Sequence, residues 1–155
     1  LEHVVQKATE LGAFEIVAFP CERSISRPDA KSLSKKLERW QKIAASAAEQ
    51  SGRGRIPQVL TLPSFDAAVA RASQADWAAL FYEKERDGSI AATLPPELAT
   101  AAILTGSEGG LTEDEVAKAR QAGVKVCTLG KRILRCETAP LCALSALLYA
   151  AGELE

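Results

Sequence analysis

The chain has 155 residues, 47% of them hydrophobic and 25% charged, with a formal net charge of −1, which is the balance of one domain able to close a single core. No apolar run is long enough to span a bilayer and no signal-peptide sectors stand at the N-terminus, so the expectation is a soluble, cytoplasmic protein with no membrane association. Four cysteines without a CxxC pair read as reduced structural thiols, and with His3 as the single histidine neither a zinc site nor a Ser-His-Asp triad can be assembled.

The first residues already follow helical spacing, through Val4, Val5, Ala8 and Leu11, and stop at Gly12. No start signal precedes them and the chain contains no methionine, so the sequence reads as a fragment or processed product with something missing upstream. Phe14 to Phe19 reads as a buried strand closed by Pro20. A long helix is expected from Lys31 to Gln50, with Leu33, Leu37, Trp40, Ala44 and Ala47 on one apolar face. Gln58 to Leu62 reads as a short strand, Phe65 to Ala72 as a helix, and Trp77 to Tyr82 as an apolar strand ending at the polar stretch Glu83 to Ser89. The order then repeats: strand Ala101 to Thr105, helix Glu113 to Ala122, strand Lys125 to Leu129, and a strongly apolar helix from Thr138 to Ala151. Strands separated by helices imply an α/β fold, a mostly parallel sheet with helices on both faces. Ligands bind such sheets at the carboxyl ends of the strands.

The charge is uneven. Between Glu22 and Arg55 stand nine basic residues (Arg23, Arg27, Lys31, Lys35, Lys36, Arg39, Lys42, Arg53, Arg55) against four acidic ones, a local excess of +5 in a chain whose total is −1. Lys31, Lys35, Arg39 and Lys42 form one stripe on the long helix. This is either the solvated side of an amphipathic helix or a phosphate-contacting surface. The flanking loops Glu22-Arg23-Ser24 and Ser51-Gly52-Arg53-Gly54-Arg55 would present arginines to a polyanion.

Three loops follow the later strands. The first begins at Tyr82-Glu83. The second, Thr105 to Thr112, is a glycine-rich turn in which Thr112 and Glu115 can form a capping box. The third runs from Leu129 to Pro140, with Thr138 as the expected N-cap and a proline tolerated in the first helical turn. The glycine turn matches neither GxGxxG nor GxxxxGK[ST]. It is either a structural turn or a ligand cradle, and Glu108 within it favours a neutral or cationic ligand over a polyphosphate.

Several motifs carry a resemblance that covers nearly the whole chain: Lys7-Ala8-Thr9-Glu10-Leu11-Gly12, Glu22-Arg23-Ser24, Arg39-Trp40-Gln41-Lys42-Ile43, Ala48-Glu49-Gln50-Ser51-Gly52-Arg53, Gly106-Ser107-Glu108-Gly109-Gly110-Leu111-Thr112, and Leu129-Gly130-Lys131-Arg132-Ile133-Leu134-Arg135-Cys136-Glu137-Thr138-Ala139. In this order the chain resembles the ribosomal RNA small subunit methyltransferase E family of the SPOUT superfamily. The resemblance implies a homodimeric enzyme that methylates N3 of a uridine in 16S ribosomal RNA, or in the small subunit, using S-adenosylmethionine (SAM). It also implies a SPOUT-type α/β knot, a trefoil at the carboxyl end. An amino-terminal β-barrel RNA-binding domain, present in the family, would be missing here, so that residues 1–155 form the methyltransferase domain.

Carried over residue by residue, Gly106, Glu108, Gly109, Gly110, Leu129, Gly130, Ile133, Leu134, Arg135, Thr138 and Ala139 would surround SAM. Arg23 and Arg53 would contact RNA. Arg135 would stabilise charge on the uracil oxygens and Glu137 would accept the N3 proton, although Glu137 also suits simple helix N-terminal electrostatics. One residue departs from the family's GPEGG turn: Ser107 replaces the proline, which puts cofactor affinity in doubt. Two other readings stand beside this one, a SPOUT methyltransferase for a tRNA base or a ribose hydroxyl, and a SAM-binding dimerisation module inactive without its amino-terminal domain.

Overall fold

The computed structural model describes residues 1–25 and 28–154, so Arg27 of the basic segment lies outside the described residues. Its elements run α1 (Glu2–Leu11), β1 (Glu15–Ala18), α2 (Ala30–Gln50), β2 (Gln58–Thr61), α3 (Phe65–Ala72), β3 (Trp77–Phe81), α4 (Ile90–Thr93), β4 (Ala101–Thr105), α5 (Glu113–Gln121), β5 (Lys125–Cys127) and α6 (Ala139–Ala150). Side-chain caps start several of the helices: Asp29 accepts from Ser32 N, Ser64 from Ala67 N, and Thr112 from Glu115 N. The end of α1 is set by Gly12, whose φ of +113° suits a residue without a Cβ.

All the strand pairings are parallel, as the alternation of strands and helices predicts, but the expected single sheet is two. β1 pairs with β2, and β3 lies between β4 and β5. Register in the larger sheet runs from Trp77 opposite Ala101 to Phe81 opposite Thr105, with Phe81 opposite Cys127 on the other side. The carboxyl ends of these three strands therefore finish together.

Strand β3 is buried along its whole length, and its period-two alternation sends neighbouring side chains to opposite faces. Ala78 and Leu80 meet Phe65, Val69, Val116 and Ala119 from α3 and α5. Trp77, Ala79 and Phe81 meet Ile90 of α4 and Ala143 and Leu147 of α6. Helices thus cover both faces of this sheet, as expected. A third cluster joins α1 and α2 to the smaller sheet through Val5, Ala8, Ile16, Trp40, Ala44 and Val59.

Three local expectations are corrected. Phe14 is outside the first strand and 63% exposed, with the Arg55 guanidinium 3.8 Å above its ring; the strand begins one residue later, because the chain is still leaving α1. The single turn α4, capped by Ser89, sits where no element was expected. None of the four cysteines is in a disulfide among the described residues, but only Cys21 and Cys127 are buried, while Cys142 is exposed.

Candidate functional site

A cavity of about 510 Å³ opens where β3, β4 and β5 end, the position the sheet topology favours, and its size is that of a small-molecule site. Its walls include Gly106, Glu108, Gly109 and Gly110 of the glycine turn, and Leu129, Gly130, Ile133, Leu134, Arg135, Glu137 and Ala139 of the loop before α6. Every residue expected around a cofactor lines it except Thr138, and the expected catalytic pair lines it too. Phe81, Tyr82, Glu83, Thr105, Ser107, Thr128, Arg132 and Cys136 complete the lining. Of these, Tyr82 and Glu83 belong to the first loop singled out in the sequence, while Arg132 and Cys136 carry no separate sequence signal beyond their place inside the third loop.

Thr138 departs from expectation for a local reason. Its backbone is already helical, at φ −88° and ψ −41°, and its side chain makes no capping bond. The carbonyl of Arg135 instead accepts from the backbone N–H groups of both Thr138 and Ala139, each at 2.9 Å. The sharp turn this makes places Arg135 and Glu137, both exposed, on the cavity wall. Pro140 follows in the first turn of α6, as expected.

The glycine turn closes on itself through Gly110 N donating to Ser107 O at 2.9 Å. Gly110 has φ +73°, and a Cβ there would lie 2.9 Å from Glu83 Oε1, so this glycine both turns the chain and leaves room for the Glu83 carboxylate. With serine in place of the family's proline the turn remains closed. The Ser107 hydroxyl is buried and, with Tyr82 OH, has no hydrogen-bond partner among the described residues. The capping box at the start of α5 forms as expected, with Glu115 N donating to Thr112 Oγ1 at 3.2 Å and Thr112 N to Glu115 Oε2 at 2.9 Å.

Hydrogen bonds from its own backbone N–H and from the Cys136 thiol hold the Glu108 carboxyl below the usual carboxylate range. Burial, and then the same Glu108 contact, push the Cys136 thiol up. The cavity thus carries three carboxylates (Glu83, Glu108, Glu137) and two guanidinium groups (Arg132, Arg135) around apolar Leu129, Ile133 and Leu134. This set suits a ligand with an apolar body and a positive centre. No group of three or more His, Cys, Asp or Glu side chains that could hold a metal occurs among the described residues, and no described helix is long and apolar enough to cross a membrane.

The two arginines expected at RNA sit at opposite ends of the strands. Arg23 lies in the loop after β1, against the glycine turn: a Cβ on Gly109 would fall 2.7 Å from Arg23 O, and Arg23 Nη1 lies 3.5 Å from Gly109 O. Arg53 lies before β2, where Nη1 donates to Thr9 O at 2.8 Å and Ala13 O at 2.9 Å, and Nη2 donates to Gly12 O at 3.3 Å. Its guanidinium closes the C-terminus of α1, away from the cavity.

A parallel α/β domain with a cofactor-sized, mixed-charge cavity at its strand ends defines a small-molecule-dependent α/β domain built around a glycine turn. The chain belongs to the RNA methyltransferase domain family, whose model matches residues 1–148, and the resemblance carried by the motifs agrees. It is 43% identical over 96% of its length to the ribosomal RNA small subunit methyltransferase E of Bacillus subtilis, and 35% identical over 93% to that of Synechocystis. Among solved structures it matches a ribosomal RNA small subunit methyltransferase E from Neisseria gonorrhoeae bound to S-adenosyl methionine, with a TM-score of 0.84 and 35% identity over 96% of this chain. The chain spans 60% of the Bacillus protein, 47% of the Synechocystis one and 60% of the Neisseria chain.

Proposed function

We propose that this chain is the catalytic domain of a SAM-dependent methyltransferase acting on N3 of a uridine in 16S ribosomal RNA. The observation that carries the reading is the cavity itself: residues of the two loops most specific to the resemblance, far apart in sequence, line one space at the strand ends. The residues present fit SAM. Backbone groups of the glycine turn and of the loop before α6 can bond adenine and ribose edges, Ile133 and Leu134 can cover the adenine, and the carboxylates of Glu83 and Glu108 suit the sulfonium and ammonium groups. SAM would supply an activated methyl group, its sulfur keeping the electron pair of the broken S–CH3 bond to leave a neutral thioether, and needs no metal.

The rest of the chemistry belongs to the chain. Uracil N3–H is a weak acid, so Glu137 accepts its proton as the nitrogen lone pair forms the new bond to carbon. Arg135, on the same wall, stabilises the negative charge that spreads onto the carbonyl oxygens O2 and O4. Arg23 contacts RNA beside the cavity, and Arg53, whose guanidinium donates to the Thr9, Ala13 and Gly12 carbonyls, is read as a brace at the end of α1. The remaining family properties follow the same reading: a homodimer, a knotted carboxyl end, a cytoplasmic location, and an amino-terminal RNA-binding domain outside this chain.

The test is transfer of labelled methyl to protein-free 16S RNA and to small subunits, with the modified nucleoside identified after digestion. The expected product is 3-methyluridine; a methylated ribose or a methylated tRNA base would select the other target reading. Calorimetry with SAM alone gives binding by the wild-type chain, and binding without transfer would favour the dimerisation module. Glu137→Gln is expected to slow transfer by about 10²-fold or more with SAM affinity retained. A wild-type rate in that variant removes Glu137 from the mechanism.

A further inference from the structure

Glu115 is a charged side chain only 5% exposed, and the capping box explains only part of its bonding. One carboxylate oxygen, Oε2, accepts from Thr112 N at 2.9 Å, while Oε1 accepts from the backbone N–H of Glu22 at 2.8 Å, a residue from the loop after β1. Thr112 Oγ1 donates back to Glu22 Oε2 at 3.2 Å. The neighbouring Arg23 backbone packs on Gly109 so closely that no side chain fits there. The loop bearing Arg23 and the turn lining the cavity are therefore joined through one buried carboxylate.

We infer that Glu115 is a positioning residue that pins the Arg23 loop to the glycine turn, so that Arg23 meets RNA at the cavity rim. This rests on the proposed reading of the cavity as a cofactor site and of Arg23 as an RNA contact. The physical requirement is two acceptors. An ionised carboxylate offers an oxygen to each N–H, whereas an amide offers one oxygen and one NH₂. Glu115→Gln must therefore turn a donor toward one of the two backbone donors. The partner three residues away within the box is held locally, so the bond to Glu22 is the one that gives way. The backbone N–H of position 115 keeps its bond to Thr112 Oγ1, and the start of α5 survives.

The experiment is a double-mutant cycle on Arg23→Ala and Glu115→Gln, with affinity for protein-free 16S RNA measured across a salt series and SAM affinity measured by calorimetry. Ser64→Ala, which removes the cap of α3, serves as a control for lost stability alone. Each of Arg23→Ala and Glu115→Gln is expected to weaken RNA binding by about three- to tenfold and to flatten its salt dependence. The double variant should be no weaker than Arg23→Ala, SAM affinity should stay within about twofold of wild type, and Ser64→Ala should leave RNA affinity unchanged. Multiplicative effects of the two substitutions, or no effect of Arg23→Ala, overturn the inference, as does a Glu115→Gln variant that loses SAM alone. If the wild-type chain binds no 16S RNA, the reading of Arg23 as an RNA contact of this chain by itself fails, and the pin is judged separately by hydrogen exchange at the Glu22 amide. Exchange at least about tenfold faster in Glu115→Gln than in Ser64→Ala supports the pin; equal exchange overturns it.

Discussion

The carbonyl oxygens at the C-terminal end of a helix lack intrahelical donors, and at α1 the guanidinium of Arg53 supplies them, bonding Thr9, Gly12 and Ala13. A cation there also opposes the negative end of the helix dipole. Arg53→Ala is expected to lower unfolding stability by about 1–2 kcal/mol, as loss of charge-assisted hydrogen bonds on a half-exposed side chain does, while leaving RNA affinity unaltered; chemical denaturation and an RNA titration check the two halves. Asp76 has a comparable role at the other end of the larger sheet, accepting from Thr100 N at 2.8 Å, Ala99 N at 3.1 Å and Thr100 Oγ1 at 3.0 Å. The Thr100 bonds, then that from Ala99, hold its carboxyl below the usual range. A group whose folded pKa is depressed contributes stability above its unfolded value and loses it as pH falls through the folded one. Asp76→Asn should therefore lower Tm at neutral pH and flatten the fall in Tm below about pH 4, as thermal unfolding across pH would record.

At the level of the elements, what was legible in the sequence followed local rules. α3 and β4 have the expected bounds, because Ser64 caps one and Thr105-Gly106 ends the other. α4 was hidden because four residues show no helical period, and the Thr138 cap failed because a backbone already in the α region turns the hydroxyl away from the free amides. The division into two sheets was also illegible, since which strands pair depends on contacts far apart in sequence. The site divides the same way. Its two loops were marked by glycine and by motif, whereas the approach of Arg23 to Gly109 bridges 86 positions and leaves no local trace. That approach yields an element-scale prediction. Gly109→Ala puts a methyl into the Arg23 backbone, so the turn and the loop must separate. RNA affinity should fall at least as much as in Arg23→Ala, with SAM affinity falling as well because the turn lines the cavity. Calorimetry and RNA titration on the one variant distinguish this from a local effect, in which only one ligand would be lost.

For the molecule as a whole, the near-neutral net charge conceals a basic segment that the fold places outside: Trp40, Ala44 and Ala47 of α2 are buried, while Lys31, Lys35, Arg39 and Lys42 are exposed. The final helix is arranged differently. α6 is apolar on nearly all sides, yet only Ala143 and Leu147 are buried, and Tyr149 is 75% exposed. Ile133, on the rim of the cavity, is 83% exposed. A helix that is apolar all round ordinarily lies inside something larger, and large exposed side chains of this kind favour an interface. The proposed homodimer supplies that cover, with a second copy of α6 and of the loop before it as the natural partner surface. Tyr149→Glu would bury an unpaired carboxylate in such an interface. The wild-type chain should sediment at twice its 16.5 kDa mass and the variant at the single-chain mass, with far-ultraviolet circular dichroism unchanged. A wild-type chain that sediments as a monomer at micromolar concentration would remove the dimer from the reading and leave the apolar surface of α6 to a different partner.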